Sequence, residues 1–286
     1  MPIYAPSLPP RPTLIPNKSP ILVLARFDLA RIWRLKLGRF FGLAFFSILV
    51  TLLSILYAKH LVSTNPQMGQ IQDLADQFLP QQAAFQASLL HPSMLFFLWL
   101  QVAMISGGLI ARDTMYRIRP LIYAHPVRPQ EYIASKALTA FGIPFCIQLP
   151  FIVLPWLLSM LIAGPSGPVW PIAPLLLVPA AALNALVMAS ITVGASSLAN
   201  TPKAGMGWVI GLVLGPSAIG GILSGVFDSS WMAMSPLALT QAWPSILCGA
   251  DETVVPIWHA IIATAVHAVL WAYVAKWRTV PSEAAI

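Results

Sequence analysis

The stretch Phe40–Leu61, which reads FFGLAFFSILVTLLSILYAKHL, is apolar along nearly its whole length and carries one charged side chain, Lys59. An α-helix rises 1.5 Å per residue, so about 20 apolar residues are enough to cross the roughly 30 Å hydrocarbon core of a bilayer. Lys59 lies near the end of the stretch, where its long side chain can reach the headgroups. We therefore predict a transmembrane helix here.

Five further stretches have the same length and character. They are Met94–Ala111, Ala137–Ile162, Leu175–Ala199, Trp208–Phe227 and Ile257–Ala275. The third and fourth predicted spans contain prolines, which transmembrane helices tolerate where neighbouring helices satisfy the freed carbonyl groups. The sequence therefore predicts an all-α polytopic membrane protein with six transmembrane helices.

The composition excludes other classes of protein. Of the 286 residues, 58% are hydrophobic and only 9% are charged, whereas soluble domains have about 45–50% apolar and about 25% charged residues. So few charges cannot cover the surface of a soluble enzyme, and a disordered chain needs low hydrophobicity. The two cysteines, Cys146 and Cys248, do not form a disulfide framework.

The charges are distributed unevenly between the predicted loops. Every Lys and Arg except Lys59 lies before the first span, between the second and third, between the fourth and fifth, or after the last. The other connecting segments contain Asp73, Asp76, Asp228, Asp251 and Glu252 and no basic residue. The positive-inside rule then places both termini in the cytoplasm. The net charge of +7 is explained by this topology, and we expect no nucleic-acid partner.

The segments outside the spans differ in character. Residues 1–20 contain seven prolines and no signal-peptide pattern, which indicates a Pro-rich cytoplasmic arm. Apolar and basic residues alternate in Ile21–Arg39, which is typical of an interfacial amphipathic helix; the alternative is a simple juxtamembrane anchor. We expect a surface helix in 62–93, a re-entrant-like segment of short helices in 228–256, and a cytoplasmic tail at 279–286.

Signatures of catalysis and of ion coupling are missing from the sequence. There is no G-x-x-x-x-G-K-[ST] motif for nucleotide phosphates, and His259 and His267 lack the partners of a metal site. No Asp, Glu, Lys or Arg lies in the interior of a predicted span, where ion-coupled carriers place such groups. We expect no enzymatic activity and no metal or cofactor in this chain.

Two sets of small or polar residues within the spans have open interpretations. Small residues spaced four apart allow close helix approach, so the glycines of the fifth span serve packing within the chain or a dimer or gating helix; they are Gly211, Gly215, Gly221 and Gly225. Gln101, Gln148 and Asn184 line a polar pathway or form ordinary interhelical hydrogen bonds.

The segment from Arg112 to Lys136, between the second and third spans, combines basic and apolar residues. Leu121, Tyr123, Val127 and Tyr132 are expected to be exposed to the cytosol unless something covers them, and exposed apolar residues framed by charge mark interaction sites. We expect a docking surface for a soluble partner; the alternative is a loop folded back onto the headgroups. The residues of this predicted surface are Arg112, Asp113, Pro120, Leu121, Tyr123, Pro126, Val127, Arg128, Glu131, Tyr132 and Lys136.

This segment resembles the one that follows the second span in ABC type-2 permeases. The matching positions are Arg112-Asp113, Pro120-Leu121, Pro126-Val127, Glu131-Tyr132 and Lys136, with Ala124-His125 in place of Ser-Arg and Ser135 in place of Gly. The six-span pattern over 21–278 is also similar to that family. The resemblance implies a separate ATPase subunit that uses ATP and Mg²⁺, and a second copy or homologous permease subunit.

On this basis we expect the permease subunit of an ATP-driven exporter in a bacterial cytoplasmic membrane. The alternative is a non-transporting anchor, or a force-transmitting subunit of an ATPase-linked periplasmic complex. The sequence does not identify a substrate.

Overall fold

The computed structural model describes residues 19–64, 92–123, 127–163, 172–249 and 253–279. Within these ranges all regular structure is helical. Ten α-helices and one short 3-10 helix follow in chain order: α1 Pro20–Arg34, α2 Lys36–Thr64, α3 Pro92–Ser106, α4 Leu109–Met115, α5 Ile118–Tyr123, α6 Pro129–Ala163, α7 Ala173–Leu198, α8 Pro202–Val226, the 3-10 helix Ser229–Met234, α9 Pro236–Leu247 and α10 Ile257–Thr279. The described residues do not include most of the Pro-rich arm or the tail from 280. They also leave out most of 62–93, where a surface helix was expected.

Six segments are long and apolar enough to cross a membrane, so the predicted fold class is confirmed. They are α2, α3 together with α4, α6, α7, α8 and α10. The third span begins at Pro129 and not at the predicted Ala137, because hydropathy marks only the apolar part of a helix. The polar residues between these two positions continue the same helix toward the membrane surface.

The second span is interrupted at a pair of glycines. The chain leaves α3 at Ser106 and enters α4 at Leu109, with Gly107 and Gly108 between the two helices. The backbone of Gly205 in α8 approaches Gly107 so closely that a methyl group at Gly205 would collide with the Gly107 carbonyl oxygen. The break therefore lies where the backbones of the second and fifth spans approach each other closely.

The fourth span, α7, lies at the centre of the bundle and contacts α6, α10, α9, α8, α4 and α3. In the second and fourth spans 72% and 61% of the most apolar stretch is buried, against 17% in the first and fifth spans and 11% in the sixth. The second and fourth spans thus form the interior, and the remaining spans present large apolar surfaces that match lipid.

The segment before the last span contains two short helices, as expected for 228–256. Ser235 caps α9 by accepting a hydrogen bond from the Ala238 N–H (3.0 Å). On α9, Thr240 accepts a hydrogen bond from Trp99 Nε1 (3.3 Å), and Trp243 Nε1 donates to Thr264 Oγ1 on α10 (3.1 Å). These contacts hold α9 against the second and sixth spans.

One end of the bundle, here called the basic end, brings together α1, α4, the start of α6 and the end of α10. Ile32, Ile110, Ala140 and Ala275 belong to one buried apolar cluster at this end. Arg119 Nη1 on α5 also lies 3.4 Å from the carbonyl oxygen of Arg278. The basic end holds most of the residues that the sequence singled out.

Candidate functional site

A buried ammonium group at the basic end contacts two buried carboxylates. Lys136 Nζ lies 2.6 Å from Asp113 Oδ2 and 2.8 Å from Asp28 Oδ2. The side chains of all three residues are at most 5% exposed. Together with Arg31, whose Nη1 lies 3.9 Å from Asp113 Oδ1, these residues form what we call the charged cluster.

Tyr132 completes the surroundings of the charged cluster. Its hydroxyl donates a hydrogen bond to Asp113 Oδ2 (2.9 Å), and its ring centroid lies 5.2 Å from Lys136 Nζ. The Tyr132 side chain is completely buried. Asp113 therefore accepts from both an ammonium and a hydroxyl, and charge-assisted hydrogen bonds of this kind are the strong ones.

Helix periodicity explains how the sequence brings these groups together. Tyr132 and Lys136 are four residues apart on α6, and Asp28 and Arg31 are three apart on α1, so each pair lies on one helix face. At the start of α6, Glu131 Oε2 accepts a hydrogen bond from the Arg128 N–H (2.8 Å), which satisfies one of the free amides of the first turn. The charged cluster thereby joins α1, the end of the second span and the start of the third.

Burial determines how much the charges of the charged cluster cost and how the pKa of Asp28 shifts. Removal from water raises the pKa of the Asp28 carboxyl above its ordinary value, and the neighbouring Lys136 ammonium opposes that rise only in part. Buried charges are costly unless they are paired and hydrogen-bonded. Two carboxylates share Lys136, and the half-exposed Arg31 guanidinium supplies the second positive charge.

The expectation that Tyr132 is exposed to the cytosol is wrong. α1 covers the first turns of α6, so Tyr132 and Lys136 face protein, and Asp113 is buried with them. The sequence pattern misled because charged residues near a span end are usually solvated. Of the other predicted docking residues, Pro120 and Arg128 are exposed, while Arg112, Val127 and Glu131 are half-buried. Pro126 and the side chains of Leu121 and Tyr123 lie outside the described residues.

Sequence reasoning missed Asp28 and Arg31 as partners of the 112–136 segment. Asp28 is the only acidic residue before the first span, and a single acid within a basic helix is the signal that could have identified it. Met115 and Tyr116 were missed as well: they lie where α4 ends and the turn after it begins, and they are 42% and 60% exposed. They are the large exposed apolar side chains at this turn.

The three in-span amides are all buried, and two of them are in contact. Asn184 Nδ2 donates to Gln148 Oε1 (3.3 Å), and Gln148 Nε2 donates to the Pro144 carbonyl oxygen (3.1 Å). The side-chain oxygens of Gln101 and Asn184 have no hydrogen-bond partner among the described residues. The hydrogen bond between α6 and α7 favours the interhelical interpretation for Gln148 and Asn184.

The glycines of the fifth span fall into two groups. A Cβ atom at Gly211, Gly215, Gly221 or Gly225 would meet open space among the described residues, so these glycines do not pack against the described part of the chain. Gly205, in contrast, meets the second span, and Gly220 faces the carbonyl oxygen of Trp231. The sequence spacing identified the exposed glycines but not the ones that make the close contacts.

The charged cluster has the chemistry of a junction between helices. Its carboxylates and ammonium group are occupied by one another and are closed to solvent. Within the described ranges, no group of three His, Cys, Asp or Glu side chains could hold a metal ion. The geometry thus provides a rigid connection between α1, α4 and α6. No protein-family model matches this chain, and no curated protein matches it.

Proposed function

We propose that this chain is the permease subunit of an ATP-driven exporter of the ABC type-2 kind, in a bacterial cytoplasmic membrane. The observation that supports the proposal is the charged cluster, which joins α1 to the ends of the second and third spans. A subunit driven by a cytosolic ATPase needs such a rigid connection between its cytosolic surface and its spans. The positive-inside rule assigns the basic end, and with it both termini, to the cytoplasm.

The docking surface for the ATPase would consist of the turn after α4 and the short helix α5. Exposed Met115 and Tyr116 supply apolar contacts, and Arg117, also exposed, frames them with positive charge. Tyr132 is assigned a positioning role, since it holds Asp113 from inside. ATP and Mg²⁺ would be bound by the partner ATPase and not by this chain.

Movement of the ATPase would reach the spans through the charged cluster. Asp113 directly precedes the docking surface in the chain, and Lys136 connects it to the third span and, through Asp28, to α1. A displacement of the turn at Met115 would therefore move α6 and α1 together. Coupling of this kind requires that the partner contact the two states of the permease differently.

A second copy or a homologous permease subunit would complete the path. The face of α8 that carries Gly211 and Gly215 is open among the described residues and would allow close helix approach. The Gln101 amide oxygen has no hydrogen-bond partner among the described residues, so this amide is the best suited of the three to serve a polar pathway. One observation favours the alternative, a non-transporting anchor or force-transmitting subunit: Gln148 and Asn184 bond to each other inside a single chain.

The test is purification of the tagged chain from its own membranes in mild detergent, with mass spectrometry of what accompanies it. We expect an ATPase chain that carries a Walker A motif. Met115→Ala combined with Tyr116→Ala should release it, since burial of each side chain in a partner contributes about 1.5–3 kcal/mol, and 1.4 kcal/mol is about tenfold in affinity.

The matched control is Trp258→Ala, which removes an exposed aromatic side chain near the start of α10, far along the helix from the basic end. This variant should keep the ATPase. Full retention of the ATPase by a well-folded Met115→Ala/Tyr116→Ala variant would contradict the docking surface. The absence of any ATPase from the wild-type complex would contradict the function.

A further inference from the structure

A groove opens on the surface of the bundle between α6, α7 and α10. Its volume is about 410 Å³, within the roughly 300–1,000 Å³ that is typical of small-molecule sites. Its lining is apolar apart from Ser190, whose hydroxyl donates back to the Val187 carbonyl oxygen. The groove therefore offers few polar partners to a water molecule and suits a hydrocarbon chain.

The groove exists because small side chains face it from all three helices. Five of its lining residues are alanines: Ala134, Ala137, Ala189, Ala268 and Ala272. Trp271 also lines it, and Gly194 on α7 leaves the room for this indole, since a Cβ atom at Gly194 would collide with the ring. The Trp271 Nε1 group donates to His267 Nδ1 (3.3 Å), which holds the ring in place.

The position of the groove along the bundle matches one leaflet of a bilayer. On α6 its lining extends from Ile133 to Phe141, which at 1.5 Å per residue corresponds to about 12 Å. Half of the hydrocarbon core is about 15 Å thick. The groove begins beside Tyr132 and Lys136, at the basic end, so it lies in the leaflet next to that end.

Positive charge stands at the end of the groove. Lys276 follows Ala272 by one helical turn on α10 and is exposed, and Arg278 is exposed with its guanidinium 5.9 Å from the Trp277 ring centroid. α10 contains no acidic residue. At the same end, Asp28 and Asp113 are occupied by Lys136, and Glu131 accepts from the Arg128 N–H. An anionic headgroup therefore finds cations here and no free carboxylate among these groups.

We propose that the groove holds one acyl chain of an anionic phospholipid, whose phosphate lies at Lys276 and Arg278. The acyl chain fills the space that the alanines leave, and it restores the dispersion contacts that an empty groove would lose. The lipid thereby braces α10 against α6 and α7. This inference depends on the membrane location of the chain and not on any ATPase partner.

The test is native mass spectrometry of the protein purified in detergent and incubated with equal amounts of phosphatidylglycerol and phosphatidylcholine. We expect wild-type protein to retain phosphatidylglycerol in preference to phosphatidylcholine. Ala268→Phe should lose the bound lipid, whereas Ala265→Phe, at an exposed position on the same helix that does not line the groove, should keep it. Ala134→Phe fills the groove from α6 and repeats the test if Ala268→Phe does not fold.

Lys276→Gln tests the headgroup separately and leaves the bundle intact, because Lys276 is exposed. It should lower the preference for phosphatidylglycerol roughly fivefold, the effect of one basic side chain near an anionic headgroup. Lys203→Gln, at another exposed lysine, should not lower it. Equal retention of both lipids by wild type, or retention by both groove-filling variants, would overturn the proposal. Dissociation of a dimer by Ala268→Phe with lipid retained would assign the groove to a second copy and overturn it too.

Discussion

The bundle buries polar groups in two regions, the charged cluster and the in-span amides. These groups find hydrogen-bond and ion-pair partners to different degrees in the two regions. In the charged cluster, Lys136, Asp28 and Asp113 are all within 2.8 Å of an opposite charge. Among the amides, Asn184 donates to Gln148, but the oxygen of Asn184 has no hydrogen-bond partner within the described residues. The first region has one well-determined arrangement, and the second retains an acceptor for another partner.

The cost of breaking a contact also differs between the charged cluster and the amides. Removal of one member of a buried ion pair leaves an uncompensated charge and costs about 3–5 kcal/mol. Interhelical hydrogen bonds between neutral groups in membranes average only about 0.6 kcal/mol, because the separated helices also find partners. The charged cluster should therefore control stability, while the amides can change partners at little cost.

Lys136→Met should cause the largest loss of stability. Within the described residues, it removes the only ammonium that contacts Asp28 and Asp113 and leaves two buried carboxylates close to each other. We expect a loss of about 3–5 kcal/mol in the free energy of unfolding, measured by denaturation in micelles. Lys203→Met, at an exposed lysine, is the control and should be nearly neutral. A loss for Lys136→Met no larger than that of the control would show that the ion pairs do not stabilise the bundle.

Asp113→Asn should come next, and it should cost more than Asp28→Asn. Asp113 accepts from Lys136 and Tyr132 and lies near Arg31, so its neutralisation should cost about 3 kcal/mol, the lower end for a broken buried pair. Asp28→Asn leaves Lys136 paired with Asp113. Burial already disfavours the charge of Asp28, as the raised pKa of its carboxyl indicates.

The pH dependence of stability, compared between wild type and Asp28→Asn, tests the raised pKa of the Asp28 carboxyl. The pKa of Asp28 is higher in the folded than in the unfolded protein, so the folded state binds more protons between the two values. Wild-type stability should therefore decline relative to Asp28→Asn as the pH rises through the folded-state pKa. Thermal unfolding of both proteins across this range measures the difference. An opposite slope would mean that Lys136 outweighs the effect of burial.

Sequence periodicity and length were sufficient to predict the spans, because lipid imposes a strong requirement for about 20 apolar residues. The six spans and the short helices before the last one were predicted correctly. The break at Gly107 was not predicted, since it depends on how closely Gly205 approaches from another helix. Contacts between helices far apart in the chain leave no local pattern.

The same reason explains the errors at the candidate site. The sequence identified Asp113, Tyr132 and Lys136 as noteworthy, yet it placed Tyr132 in the cytosol. Whether these residues face water depends on α1, which packs over them through a buried face that includes Asp28 and Ile32. The pairing of a helix at residue 28 with one at residue 136 is a tertiary fact. It could not be read from either segment alone.

Tyr132→Phe should reduce stability less than Lys136→Met or Asp113→Asn. It removes the hydroxyl that donates to Asp113 (2.9 Å) but keeps the buried ring. A hydrogen bond to a charged group contributes about 1.5–3 kcal/mol, and Asp113 retains Lys136, so we expect the lower value. Tyr132→Ala, which also removes the ring from a fully buried site, should cost clearly more. Equal losses for the two variants would mean that the ring contributes nothing.

The amide pair, Asn184 and Gln148, should contribute least to stability. A double-mutant cycle measures the coupling free energy between the two side chains. Asn184→Leu removes the donor to Gln148 and also the oxygen that has no partner among the described residues. Gln148→Met removes the acceptor together with the hydrogen bond to the Pro144 carbonyl oxygen. The cycle isolates the interaction between the two side chains, and we expect a coupling of about 0.6 kcal/mol.

Replacement of both partners by apolar groups of similar shape can be nearly neutral, so the Asn184→Leu/Gln148→Met double variant should unfold at nearly the wild-type denaturant concentration. Its gel-filtration profile controls for assembly. If the coupling were larger than the whole loss caused by Tyr132→Phe, the amides would stabilise the bundle as strongly as the charged cluster. A weak coupling instead leaves the Asn184 oxygen, which has no partner among the described residues, able to accept a hydrogen bond from another donor at low cost.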